Sequence, residues 1–401
     1  MSIPGTLDAI LILLMLAFFS YGWVVGFARS AFAMAGIAVG AIVAFFAIPM
    51  IGSWITWPEW RLSLILIAVA ALVAAGLTLG SLIGQAISRH VEESSIGWLD
   101  RLGGALLNAI AAALIAFMVS FSISPLGVPF LTQAIAGSSV LRTIEHITPA
   151  PIRSGMAQLR SAVVDDGIPR ILSAAGEVDD PAAPTVAPTI PNVKTATPPL
   201  DVAAKSVVKI TGAAIQCGQN QSGSGFVVAK NRIVTNAHVV AGVTEPVIEV
   251  PGVGAFSGRV VYFDPKYDLA VISVSGMPTA PIPLGTTLTE GSEVVFDGYP
   301  MGGPFHSASA RVERVIEVNL YDIYGKNAHT MEVYQLAANV QSGNSGGPLL
   351  STSGEAIGVI FAKATTVENV GYAHTMKELS PVAKSAASFT APVSTGSCIQ
   401  H

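Results

Sequence analysis

Charge is scarce in this sequence: Asp, Glu, Lys and Arg make up 12% of its 401 residues, about half the share of an ordinary soluble domain. The deficit is local. Residues 1–125 carry nine charged side chains (Asp8, Arg29, Glu59, Arg61, Arg89, Glu92, Glu93, Asp100 and Arg101), and no lysine precedes Lys194. The net charge is −5, and a nucleic-acid binder normally presents a basic face, so no nucleic-acid partner is expected. Only two cysteines occur, Cys217 and Cys398, too far apart in sequence for a two-thiol metal site or a redox pair. His90, His146, His306, His329, His374 and His401 stand at no metal-ligand spacing. No metal and no cofactor are therefore expected. What is abundant is apolar chain, 51% of residues, enough to exclude a wholly disordered protein and to point to a membrane module joined to something else.

Uncharged runs cover 9–28, 30–58, 62–88 and 102–141. Each holds the roughly 20 apolar residues that cross about 30 Å of hydrocarbon as a helix. Four spans are expected near 6–28, 31–55, 62–87 and 102–124, in a membrane domain of 1–125 with the lipid bilayer as partner. A cleaved signal peptide fits poorly, because no lysine or arginine precedes the first span and three more spans follow. Arg29 falls in the first connection, Arg89 and Arg101 in the third, and only Arg61 in the second. Positive loops stay cytoplasmic, so both termini are expected outside. All five tryptophans (Trp23, Trp54, Trp57, Trp60, Trp98) lie in this half, mostly near span ends, where their rings favour the headgroup layer. Gly76, Gly80 and Gly84 repeat every fourth residue in the third span, as Gly36 and Gly40 do in the second. Such spacing lets helix backbones approach closely, either inside one bundle or at a self-association surface. The four-span layout resembles the colicin V production family of membrane proteins.

Residues 126–175 read as an amphipathic helical connector. Ile135, Val140, Leu141, Ile144 and Ile147 lie on one helix and Met156, Leu159 and Val163 on another, with Pro149 and Pro151 between. Residues 176–200 then hold Pro181, Pro184, Pro188, Pro191, Pro198 and Pro199. Such a stretch favours extended chain and is expected to act as a semi-rigid spacer.

From 201 to 401 short β-branched runs alternate with Gly, Asn, Asp and Pro, at 203–210, 223–228, 232–235, 247–250, 258–262, 269–274, 293–296, 310–318, 331–335, 348–350, 355–360 and 371–374. Many short strands with regular turn signals predict an all-β barrel or sandwich, and about 200 residues can hold two small barrels. Three segments carry chemistry: Thr235-Asn236-Ala237-His238, Tyr267-Asp268-Leu269, and Gly343-Asn344-Ser345-Gly346-Gly347-Pro348. A serine hydroxyl attacks only when an imidazole takes its proton, the imidazole needs a carboxylate to fix its tautomer, and the oxyanion needs N–H donors that glycines leave unobstructed.

In that order and with those neighbours, the segments resemble chymotrypsin-fold serine proteases, especially the bacterial trypsin-like and high-temperature-requirement branch. Gly298-Tyr299-Pro300 is similar to that branch as well. The resemblance implies an all-β chymotrypsin-like double barrel after the α-helical membrane bundle. It makes Ser345 the nucleophile, His238 the acid–base and Asp268 the orienting carboxylate, with the amides of Gly343 and Ser345 as the oxyanion hole. Asp264 is the rival carboxylate, but Pro265 and Tyr267 suggest a turn there, whereas Asp268 directly precedes an apolar strand. Phe361, Ala362 and Lys363 would bind substrate backbone, Asn339 would lie near the pocket base and His374 near its wall. No acid at that base is evident, so a preference for Lys or Arg is unsupported.

In an oxidising compartment Cys217 and Cys398 are expected as a bridge rather than as free thiols, closing a loop of about 180 residues. This agrees with the outside placement from the arginines. The whole layout resembles the membrane-tethered periplasmic serine proteases of mycobacteria and their relatives. That resemblance implies an inner-membrane endopeptidase that cleaves cell-envelope proteins in acid and oxidative stress. The alternative is a membrane scaffold or secretion module carrying a protease-fold binding domain.

Overall fold

Inside hydrocarbon every backbone N–H and C=O has to be satisfied within its own segment, which the helix achieves. The computed structural model describes residues 3–54, 58–92, 97–123, 134–135, 137–149, 152, 155, 186–214, 219–364 and 367–399. Its N-terminal unit holds four long helices, α1 (Ile3–Val25), α2 (Phe27–Trp54), α3 (Pro58–Glu92) and α4 (Gly97–Ile123). Each contains a stretch long and apolar enough to cross a membrane: Gly5–Val25, Phe27–Ala44, Ile67–Ser88 and Gly97–Ser120.

The helix ends differ from expectation. Only Gly26 parts α1 from α2, at a φ of +82°, a left-handed conformation that glycine adopts without steric cost. Arg29 thus lies in the first turn of α2 rather than in a loop, Arg101 in the first turn of α4 and Arg89 within α3. Asp100 Oδ1 accepts the N–H of Ala28 at 3.0 Å, placing an anion where the first peptides of α2 expose their donors. Buried Asn108 of α4 donates to Ser30 Oγ at 2.7 Å and to Gly104 O at 2.9 Å.

The glycine stripe is used within the chain. A Cβ at Gly36 would strike the backbone of Gly76 and Gly80, one at Gly80 that of Phe32 and Gly36, and one at Gly84 that of Arg29. Of the two uses that the spacing allowed, self-association through Gly76, Gly80 and Gly84 gives way to packing inside the bundle: these residues let α2 and α3 touch backbone to backbone, which leaves no room for a second copy on that face.

In the second unit, α5 (Ser139–Ile147) realises the first connector helix, capped by Ser138 Oγ accepting Leu141 N–H at 3.1 Å. The second connector helix and the first part of the proline-rich stretch lie outside the described residues. Residues 186–200 are no free spacer. Ser309 Oγ donates to Pro191 O at 2.7 Å, Val193 and Leu200 are buried, and Pro198–Ala204 forms the short helix α6 instead of the start of a strand. Proline is at home there, since a first helical turn has no use for its missing N–H.

All twelve expected strands form: β1 (Val207–Ala214), β2 (Gln219–Ala229), β3 (Arg232–Thr235), β4 (Val247–Val250), β5 (Gly254–Asp264) and β6 (Leu269–Val274), then β7 (Glu293–Gly298), β8 (His306–Leu320), β9 (His329–Ala337), β10 (Pro348–Ser351), β11 (Ala356–Lys363) and β12 (Val370–His374). They close into two barrels of the same order, β1-β2-β3-β6-β5-β4 and β7-β8-β9-β12-β11-β10, every pair antiparallel. One helical turn, α7 (Ala237–Val240), follows β3, and α8 (Met376–Ser385) follows β12. Each barrel has its own apolar interior, around Ile210, Ile233 and Ile272 in the first and Phe296, Tyr334 and Leu336 in the second. A third cluster joins Phe226, Val234 and Leu269 to Val295, Leu350 and Val359, and to Leu200 of α6, Leu379 of α8 and Val193. This seam fixes the two barrels against each other and so sets the geometry of whatever lies between them.

Candidate active site

His238 sits in α7, immediately after β3, and Asp268 immediately before β6, the strand paired with β3. That pairing brings together two residues 30 positions apart. His238 Nδ1 lies 2.7 Å from Asp268 Oδ2, and the N–H of His238 donates to Asp268 Oδ1 at 2.9 Å. One carboxylate thus holds both the ring and the backbone of the histidine. Both residues are buried, 7% and 8% exposed, which strengthens a charged hydrogen bond by lowering the local dielectric. Asp268 adopts a φ of +49°, a conformation that costs a non-glycine residue energy and clusters at functional positions. Buried Asn236 donates to Asp268 O at 2.9 Å. The rival Asp264 is turned elsewhere: Oδ1 accepts Lys266 N–H at 2.9 Å and Tyr267 N–H at 3.2 Å, and Oδ2 accepts from Tyr262 Oη at 3.1 Å. Desolvation and that neighbouring carboxylate push the Tyr262 phenol up to about 12.

Ser345 lies in the turn before β10. Among the described residues its hydroxyl is buried without a hydrogen-bond partner. Among the described residues the hydrogen bonds holding the turn use the N–H groups of Gln341, Asn344, Gly346 and Gly347, not those of Gly343 and Ser345. Gly343 has a φ of +86° and Gly346 of +82°. A Cβ at Gly346 would enter Ser224 O and Thr235 Oγ1, and one at Gly343 would enter the backbone of Tyr299, Met301 and Gly302. The turn is packed from both sides by main chain.

The expected substrate-binding residues divide. β11 outruns β10: pairing ends at Pro348↔Val359, and Gly346 N–H donates to Ile360 O at 2.8 Å. Beyond that point Ala362 and Lys363 pair with β12, and Phe361 stands in the bulge between Ile360 and Ala362. Their other edge carries no strand pairing among the described residues, and Phe361 and Ala362 are buried. Asn339 is exposed and does not form a pocket base; its neighbour Val340 is buried, and a Cβ at Gly371 would meet it at 2.5 Å. His374 is wholly buried and lines no open wall. Its ring stacks on Phe361 at 4.5 Å, and its Nε2 lies 3.4 Å from Asn236 Nδ2. Desolvation, opposed by Asp268 and aided by His238, pushes this imidazole down to about 4.

Several residues of the site carry weak sequence signals. Ser224 and Thr235 look like ordinary strand residues, and Asn236 stands out only through its neighbour His238. Asp297, on β7, is 1% exposed and neither carboxylate oxygen has a hydrogen-bond partner among the described residues. Burial pushes it up to about 7, with Ser307 across the strand pair pulling weakly the other way. Cys398 is buried against Ala214 and Val243 and is disulfide-bonded; Cys217 lies outside the described residues. The tail before Cys398 is bound to the segment after His238, with Gly242 N–H donating to Thr395 O at 3.1 Å and Thr395 Oγ1 to Val243 O at 3.0 Å. Among the described residues no group of three His, Cys, Asp or Glu side chains could hold a metal ion.

Two barrels of one topology, with an imidazole–carboxylate pair from the first and a serine in a glycine-rich turn from the second, define a chymotrypsin-like serine protease. Comparison with known proteins agrees. Residues 223–359 match the model of the trypsin-like peptidase domain and residues 7–149 that of the colicin V production protein. Serine protease Rv3671c of Mycobacterium tuberculosis is 31% identical over 382 residues, 94% of each chain. Putative serine protease HhoA of Synechocystis is 31% identical over 163 residues, 38% of this chain and 39% of HhoA. The crystal structure of the Rv3671c protease in its active form superposes with a TM-score of 0.51 at 34% identity, covering 53% of this chain and 94% of that one. The chain belongs to the Rv3671c family of serine proteases, with a colicin V production domain joined to a trypsin-like peptidase domain.

Proposed function

We propose that the chain is a membrane-anchored endopeptidase working through an acyl-enzyme, with Ser345 as nucleophile, His238 as general base and acid, and Asp268 as the carboxylate that orients it. The observation that carries this reading is the double grip of Asp268 on His238, ring at 2.7 Å and backbone at 2.9 Å. With Nδ1 committed to the carboxylate, Nε2 keeps its lone pair for the serine proton and then returns that proton to the leaving amine. Charge developing on the carbonyl oxygen is met by the N–H groups of Gly343 and Ser345, which the turn's own hydrogen bonds leave unused. Peptide backbone is taken up along Phe361–Lys363.

The protease unit works outside the cytoplasm. Arginine placement along the spans supports this, as does the disulfide at Cys398, for which Cys217 is the other cysteine in the chain. Exposed thiols are kept reduced in most cytoplasms. Cell-envelope proteins are then the accessible substrates, and the family resemblance supports a part in acid and oxidative stress. A membrane-impermeant fluorophosphonate applied to sealed spheroplasts tests both parts. It is expected to label the wild type and not Ser345→Ala. A folded wild type that stays unlabelled even in detergent overturns the nucleophile; labelling only after permeabilisation overturns the orientation.

A further inference from the structure

Ser224 has no catalytic role of its own, yet it bonds Gly343, Ser345, Tyr299 and Thr235. It lies on β2 of the first barrel, is wholly buried, and reaches across the seam to the second. Its Oγ donates to Gly343 O at 2.6 Å and accepts the N–H of Tyr299 at 2.9 Å. Its own N–H donates to Ser345 O at 2.8 Å, and its carbonyl accepts from Thr235 Oγ1, three residues before His238, at 2.7 Å. Gly298 is held without a side chain beside it, since a Cβ there would lie 2.8 Å from Ser224 Oγ.

A hydroxyl with one proton and two lone pairs can fix two neighbouring groups of opposite polarity, and here both are main chain. Gly343 holds a φ of +86°, which glycine adopts without the steric cost another residue would meet. Its carbonyl sets the peptide plane shared with Asn344 and its own N–H lies in the plane shared with Ser342, so the donor is fixed only when both planes are held. The N–H of Tyr299 locks the same hydroxyl to the segment backing the turn, where Met301 N–H donates to Ser342 O.

We propose that Ser224 is a positioning residue for the oxyanion hole: a side chain of the first barrel that holds the Gly343 donor of the second in its productive direction. The inference rests on the protease reading above and deepens it. Oxyanion donors act mainly on the transition state, and removing one outright costs about 10²–10³-fold in kcat. Misdirecting one costs less, so Ser224→Ala is expected to lower kcat by about 10- to 100-fold with KM within about twofold.

The experiment uses the full chain in detergent micelles, with peptide hydrolysis normalised to fluorophosphonate-titrated sites. A peptidyl boronate, whose tetrahedral adduct places an oxygen in the hole, supplies the readout that a merely structural role would not move. Its affinity is expected to fall in step with kcat/KM, while binding of a non-covalent peptide amide stays within about twofold. Ser224→Cys, with a weaker donor of similar shape, is expected to fall between wild type and Ser224→Ala, and it stands in if the alanine variant does not fold. A folded Ser224→Ala or Ser224→Cys with wild-type kcat per titrated site and wild-type boronate affinity overturns the proposal. So does a loss confined to KM. Absence of any Ser345-dependent hydrolysis in the wild type would instead overturn the protease reading, and the two failures are told apart by that control.

Discussion

The two barrels share one strand order and one pairing sense, yet they equip the groove in different ways. The first supplies side chains locked by other side chains: His238 is gripped twice by Asp268, whose backbone is tied in turn by Asn236. The second supplies main chain shaped by glycine, with a serine hydroxyl and two amides left out of the network. The contrast follows from the tasks. A base has to be held in one tautomer, which requires a permanent partner. A nucleophile and an oxyanion hole have to be available to a substrate, which requires that their partners be absent until it arrives. Identical architecture therefore says little about which barrel does what; the short turns after β3 and before β10 decide it.

That division can be broken experimentally. The largest effect is expected at the grip itself. Asp268→Asn should lower kcat by about 10⁴-fold through the wrong imidazole tautomer, whereas Asp264→Asn, whose carboxylate binds Tyr262, Lys266 and Tyr267 instead, should leave peptide hydrolysis near the wild-type rate. On the glycine side, Gly346→Ala places a methyl group into Ser224 O and Thr235 Oγ1 at a φ of +82°. It should destabilise the protein by about 4 kcal/mol or more, in the class of exceptional single substitutions. Gly252→Ala, at a φ of +70° with nothing within 4 Å, should cost only the left-handed penalty of about 1–2 kcal/mol. Denaturant melts that rank the two alike would contradict the packing described here.

Asp297 gives the second barrel a pH signature near neutrality. Its carboxyl, raised from 3.8 to about 7 by burial, holds its proton in the folded state and loses it in the unfolded one between those values. Its contribution is therefore fully present below pH 4 and is lost as the pH rises through about 7, an amount of at most about 4 kcal/mol. Asp297→Asn should match wild type near pH 4 and exceed it in melting temperature near pH 8; equal slopes of stability against pH would remove the assignment. A smaller effect is expected at the tail on the first barrel. Reduction of the disulfide at Cys398 should lower stability by about 3 kcal/mol, read as a drop in melting temperature under reductant, and an unchanged midpoint would contradict it.

Much of this was legible in the residues because each signal was local. Runs without charge marked the four helices, β-branched runs marked the strands, and Thr235–His238 and Gly343–Pro348 carried their chemistry in contiguous letters. What stayed hidden depends on partners distant in sequence. Ser224 is one polar residue in a strand until Gly343 and Tyr299 are placed beside it. Val340 is buried where Asn339 is exposed, because Gly371 packs closely against it. His374 is closed off by Phe361 and Asn236 rather than exposed along a wall. The stripe of Gly76, Gly80 and Gly84 admitted two occupants, and only packing distinguished α2 from another copy. Both helices that flank the barrels, α6 and α8, are short, and neither shows a long apolar repeat.

The strap formed by residues 186–200 changes where the leash ends and the catalyst begins. Extended proline-rich chain reaches about 3.1 Å per residue. About fifteen residues fastened along the barrels thus remove on the order of 45 Å from the tether's slack. A fragment cut at residue 201 would also strip Val193 and Leu200 from the seam and leave a greasy scar on the enzyme. The catalytic half, if it is to be made without its anchor, has to keep the segment from Thr189 onward, whose carbonyl accepts from Arg311.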